Sequence, residues 1–205
     1  MIALINSIAV GAAAQRLNLK DLKTGDLLFQ NLDCGDMCEA IEAVTRGWHK
    51  HDFSHMGMVE REGGNIYIWE SVAAGVRRLA LDSFSKRSAH QLIAGRLKRR
   101  YRKLIPSAIG YLHQQIGVAY DLAFLPDNGK FYCSELIYEA FKNAAGGKPL
   151  FKLEPMTFKR PGSDEYFPVW EKYYQQLEIP IPEGVPGCNP GGLSRSRKIT
   201  IVGSL

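Results

Sequence analysis

Two strand-like runs, SHMGMVERE (54–62) and NIYIWES (65–71), flank the pair Gly63-Gly64. A two-residue glycine turn between such runs reads as a β-hairpin, which commits the middle of the chain to antiparallel sheet. On the first strand His55, Gly57 and Val59 share a face; on the second, Ile66, Ile68 and Glu70 do. A two-residue turn sets Gly57 opposite Glu70 and makes His55 the diagonal neighbour of Glu70, ~7–8 Å away across the backbones. Gly57 leaves room for the imidazole and the carboxylate to meet, and a carboxylate on an apolar face needs a partner. The plainer alternative is a strand-end histidine satisfied by itself and a glutamate facing water. A longer loop would break this register.

Other segments fill in around the hairpin. LKTGDLLFQ (22–30) turns at Gly25-Asp26 and runs on as a short strand. GVRRLALDSF (75–84) and HQLIAGRL (90–97) read as two more strands. GDMCEAIEAVTRG (35–47), KLIPSAIGYLHQQIG (103–117) and CSELIYEAFKNAAGG (133–147) show helical spacing closed by glycine. From Pro155 the chain is rich in Pro and Gly, with one helical patch, DEYFPVWEKYYQQL, and is expected to wrap the domain as ordered loops. Central strands with helices outside them give an α+β class.

At 205 residues, 45% hydrophobic and 23% charged, the chain suits one globular domain, residues 15–205. The net charge of +5 is scattered except for RLKRRYRK (96–103). With no base-reading motif beside it, that cluster reads as a solvated edge or an anionic-surface contact, and no nucleic-acid partner is expected. Residues 1–14, MIALINSIAVGAAA, are apolar, uncharged and end in small residues, which resembles an export signal lacking its basic start. They are too short to span a bilayer, and a packed N-terminal helix is the alternative. Export to the periplasm or cell envelope is expected if they are a signal, and a cytoplasmic location otherwise. No integral membrane segment is expected, and the oligomeric state is not legible.

Four cysteines are too few for a disulfide framework. Cys34 and Cys38 could bridge in an oxidising compartment, and Cys133 and Cys188 are then left over. Cys34, Cys38, His49 and His51 also invite a zinc reading, but the H-x-H spacing is short for a structural site, and no metal is expected.

In FYCSELIYEAF (131–141), Cys133, Leu136, Ile137, Ala140 and Phe141 fall on one helical face. Cys133 therefore opens the helix, where unpaired N–H groups and the positive dipole end favour a thiolate and could hold an oxyanion. A free cysteine is equally at home as buried filler. A nucleophile needs a base, and His55 is the candidate.

FYCSELIYEAF resembles the nucleophile segment of the NlpC/P60 superfamily. GDLLFQ (25–30), SHMGMV (54–59), AYDLAF (119–124) and YCSELIYEAF (132–141) together resemble its circularly permuted, YiiX/YebB-like branch, in which the histidine precedes the cysteine. The resemblance implies a papain-like fold, a central antiparallel sheet packed by helices, with Cys133 as nucleophile, His55 as general base and Glu70 orienting the imidazole. It implies no cofactor. Tyr132 is the candidate for shaping the oxyanion site and Asp121 for fixing the substrate cleft; packing and loop capping are the alternative roles of both. Three functions follow: a cysteine hydrolase of a cell-wall peptide or small acylated amide, a lipid acyl hydrolase or transferase, or a non-catalytic binding module. Loops 31–36, 121–131 and 180–196 are expected to set specificity.

Overall fold

The computed structural model describes residues 14–205; the expected export signal lies almost wholly outside them. In chain order come β1 (Leu27–Gln30), α1 (Asp36–Val44), β2 (His55–Glu62), β3 (Asn65–Val72), β4 (Gly75–Ala80), α2 (Leu81–Ser85), β5 (Ile93–Leu97) and α3 (Ile105–Gln114). Then follow α4 (Cys133–Ala144), β6 (Glu154–Pro155), α5 (Pro168–Leu177), β7 (Pro186–Gly187), α6 (Pro190–Ser194) and β8 (Ile199–Ser204). Six strands form one antiparallel sheet in the order β4-β3-β2-β1-β5-β8, and β6 and β7 pair separately.

Both faces of the sheet are covered, so its strands bury alternate residues on opposite sides. Leu27, Phe29, Met56, Met58 and Trp69 share one core with Leu112 of α3 and Leu136, Ile137 and Phe141 of α4. Full burial of each such side chain is worth about 1.5–3 kcal/mol, and this holds α4 on the sheet. The other face carries Leu28, Val59, Ile68 and Ala94 against Leu22, Leu81, Phe84 and Leu92. A third cluster joins Ala40 of α1 to Trp170 and Tyr174 of α5.

The β2–β3 hairpin has the register its turn demands, from Glu62 opposite Asn65 to Met58 opposite Trp69. Gly57, however, serves another purpose than the sequence suggested. A Cβ there would lie 2.7 Å from the Trp69 carbonyl oxygen and 3.2 Å from the Phe84 ring. The space belongs to close backbone approach and to Phe84, not to the imidazole and carboxylate. Gly57→Ala is expected to cost about 1–3 kcal/mol through overpacking, measurable as a lower urea midpoint.

Two further expectations change. The strand proposed for 75–84 ends at Ala80 and gives way to the helical turn α2. Leu81 and Phe84, three residues apart, both turn into the core there, while Asp82 stays in solvent. The tail expected as loops plus one helical patch does carry that helix, α5, but it also supplies β8, an edge strand paired with β5.

Candidate active site

Cys133 is the first residue of α4, entered from an extended Tyr132. The segment before it is tied to the sheet: the Ser71 hydroxyl on β3 donates to the Phe131 carbonyl, and Asp121 N–H donates to the same oxygen. One residue before Ser71 on the same strand is Glu70. Thus β3 fixes both the carboxylate and the approach to the cysteine.

His55 opens β2, opposite Gln30 of β1. Its Nε2 lies 2.7 Å from Oε2 of Glu70, and both side chains are buried. The Cys133 side chain lies close enough to the ring to favour its protonation. Imidazole and carboxylate are thus in direct contact across β2 and β3, with Cys133 at the head of α4 beside them. Burial opposes charging of His55, but its interactions with Cys133 and Glu70 outweigh that, so its pKa is raised. Burial alone would raise the Glu70 pKa; the His55 hydrogen bond and the charges of His55 and Arg87 hold it down at about 2. Oε1 of Glu70 also accepts from Nε of Arg77 at 2.8 Å, and Oε2 accepts from Nη2 of Arg87 at 2.5 Å.

Cys133 lines a groove with a cavity volume of about 120 Å³. Its walls are largely apolar: Tyr120, Phe124, Met156, Phe158 and Trp170, with Ile41 of α1. Glu154 is the one carboxylate among the described lining residues, and no Lys, Arg or His lines it. Of the loops expected to set specificity, 121–131 contributes Phe124 and 180–196 contributes Cys188, Asn189 and Pro190. Residues 31–36 border a separate hollow instead, and α1 and residues 154–158 take their place.

Tyr132 lines the groove, but its hydroxyl is engaged: it accepts from the Cys188 backbone N–H at 3.1 Å. The Ser134 hydroxyl donates to the Cys188 carbonyl at 3.0 Å. The residues either side of Cys133 thus hold position 188 as a wall of the groove. Burial pushes the Cys188 thiol up to about 12, so it stays protonated at neutral pH. Asp121 does not line the groove. Its fully buried carboxylate accepts from Ala123 N–H, Leu125 N–H and the Asn128 amide, at 2.9, 2.7 and 2.9 Å, so it organises its own loop.

Glu135, in the first turn of α4, is buried and raised to about 8 by that burial and by the Asp121 charge. It is mostly protonated at neutral pH, which keeps a second negative charge away from Cys133. A carboxyl raised above its unfolded value stabilises the fold fully below pH 4.5, and that contribution is lost as pH rises through about 8. Glu135→Gln is expected to flatten this slope, worth on the order of a few kcal/mol, in thermal melts between pH 5 and pH 9.

Arg77, Arg87, Phe84, Tyr120 and Cys188 escaped the sequence reading. Arg77 alone was within its reach: a two-residue Ala73-Ala74 turn pairs Glu70 with Arg77, and that is the observed register. Cys34 and Cys38 are joined as a disulfide, so they do not form a ligand set with His49 and His51.

Comparisons with known proteins bear on the family and the fold. YiiX of Escherichia coli K12, described as uncharacterized, is 28% identical over 130 residues, covering 60% of this chain and 59% of that protein. A crystal structure described as that of metalloprotein yiiX from Escherichia coli O157:H7 superposes with a TM-score of 0.69 at 22% identity, covering 89% of this chain and 97% of that one. Among the described residues of this chain, no three His, Cys, Asp or Glu side chains converge as a metal-binding group. Residues 21–203 match the family described as permuted papain-like amidase enzyme, YaeF/YiiX, C92 family. With nearly the whole chain matched, the protein belongs to that family of cysteine-type hydrolases, on the YiiX-like permuted papain-like branch.

Proposed function

We propose that the chain hydrolyses an amide whose acyl part is apolar, using Cys133 as nucleophile, His55 as general base and acid, and Glu70 as the group that orients the imidazole. The buried 2.7 Å contact between His55 and Glu70, with Cys133 at the head of α4 near the ring, carries this reading. With Nε2 held by Glu70, Nδ1 of His55 is left for the sulfur. His55 takes the thiol proton, and the sulfur attacks the acyl carbon. Backbone N–H groups at the start of α4 stabilise the oxyanion. His55 then gives the proton to the departing amine, leaving a thioester on Cys133. Water attacks that thioester, gives a proton to His55, and releases the carboxylic acid and the free thiol.

The groove walls favour a lipid-like or aromatic acyl group over a polar cell-wall peptide, because apolar surface is what they can desolvate. A lipid acyl transfer through the same thioester is the second reading, supported by the same walls. The Cys34–Cys38 disulfide supports an exported location, since such bonds persist in oxidising compartments. Incubation with N-acyl amino acids of increasing chain length and with peptidoglycan fragments, followed by product analysis, tests the substrate. Rates that climb with chain length support the proposal; turnover of the peptidoglycan fragments alone overturns it. Iodoacetamide alkylation read at single residues tests the nucleophile: Cys133 should react at neutral pH, and an inert Cys133 would leave only a binding module.

A further inference from the structure

We propose that Arg77 and Arg87 are positioning residues of this site: together they lock the Glu70 carboxylate onto His55 and offset its negative charge, so that the imidazolium gives up its proton more readily. The inference rests on the Cys133–His55–Glu70 reading.

The carboxylate is saturated. An ionised carboxyl offers about four lone-pair positions. Oε1 lies 2.8 Å from both Nε and Nη2 of Arg77, and Oε2 faces Nε2 of His55 at 2.7 Å and Nη2 of Arg87 at 2.5 Å. No position is left about which the carboxylate could turn, so Oε2 keeps one direction, toward the imidazole. The groups facing the pair are Arg77 from β4, Arg87 from beyond α2 and Cys133 from α4.

The two arginines arrive by different routes. Arg77 is set directly opposite Glu70 by the β3–β4 register. Arg87 is delivered by the helical turn α2, with its guanidinium 4.8 Å from the centre of the Phe84 ring. That ring in turn packs 5.8 Å from the His55 ring. Gln30 donates to the Phe84 carbonyl at 3.0 Å and pins the turn to the sheet. The short helix α2 and the residues just after it therefore supply both a packing surface for the imidazole and a counter-charge for its acid.

Charge decides what this does. A buried glutamate beside His55 with no other partner would hold the imidazolium strongly and delay its deprotonation. Two guanidiniums on the far side of the carboxylate draw off that attraction. Their own side chains are 41% and 26% exposed, against 0% for Glu70, so they keep contact with water while the acid does not.

The test uses Arg77→Gln, Arg87→Gln, the double variant and the two Arg→Lys replacements in the full chain. The His55 titration is read by imidazole NMR, with a His55→Gln spectrum for assignment. Each Gln variant is expected to raise the His55 titration, the double variant by about one pH unit, and each Lys variant to restore most of the wild-type value. A purely structural role would lower the melting temperature and leave the titration in place. An unchanged or lowered titration in a folded Gln variant overturns the proposal. Arg77→Gln, at the more exposed position, keeps the test open if the double variant does not fold. An inert Cys133 in the wild-type alkylation experiment would sink the hydrolase reading separately, and the titration would still report on the arginines.

Discussion

Cys133→Ala is expected to reduce amide hydrolysis by about 10⁶-fold, to the level of binding alone, because no other group in the groove can form the thioester. Cys188 cannot stand in for it. That thiol is buried, held protonated, and has its backbone fixed by Tyr132 and Ser134. Cys133→Ser should be nearly as inactive, since a serine hydroxyl is far harder to deprotonate than a thiol. Both variants keep the small side chain at the head of α4, so their melting temperatures should stay close to wild type. A Cys133→Ala protein retaining more than a hundredth of the activity would refute the assignment. The measurement is single-turnover hydrolysis of the best acyl amide, with site-resolved alkylation as its companion.

Removing the acid should hurt twice. Glu70→Ala removes a fully buried carboxylate from its ion cluster and leaves His55 without its partner, at a cost of about 3–5 kcal/mol of stability. Turnover should fall as well, because the imidazole loses its fixed orientation. Glu70→Gln separates the two effects. It keeps the shape and one hydrogen bond to the ring but sets an uncharged amide against two guanidiniums. Its stability loss should be smaller, with a lowered His55 titration. Since Glu70 titrates at about 2 in the fold and near 4.5 otherwise, its contribution is present above pH 4.5 and disappears as pH falls toward 2. Wild type should therefore lose stability over that acid window in urea titrations, and Glu70→Gln should lose less. Equal acid sensitivity in the two proteins would contradict the linkage.

The centre of the site was legible because local rules govern it. A Gly63-Gly64 turn admits one register, strand parity then puts His55 and Glu70 on one face, and a 3.6-residue period makes Cys133 the first inward residue of α4. What surrounds that centre depends on distant segments. LALDSF alternates well enough for a strand, yet Leu81 and Phe84 are equally spaced for one helical turn, and the core around Leu28, Val59 and Ile68 decided between them. Arg87 lies beyond that turn, so nothing local could direct it to Glu70. The short run ITIVGS was hidden in a tail full of glycine and proline, and it became β8 only because β5 left an edge to pair with. The groove shape comes from α1, α5 and residues 154–158 meeting, a tertiary outcome that no single window of sequence encodes.

Near the start of the described chain, Leu17 N–H donates to the Ser204 carbonyl at 2.7 Å, and Ser204 N–H donates to the Gln15 carbonyl at 2.8 Å. A short peptide could splice these neighbouring points, and the backbone could then be cut at the solvent-facing Gly63-Gly64 bend. Such a rewired molecule would read its elements in a new sequence while leaving every strand beside its old neighbours. In a family already defined by reordered connectivity, it would show directly whether the His55–Glu70 contact tolerates a change in where translation begins.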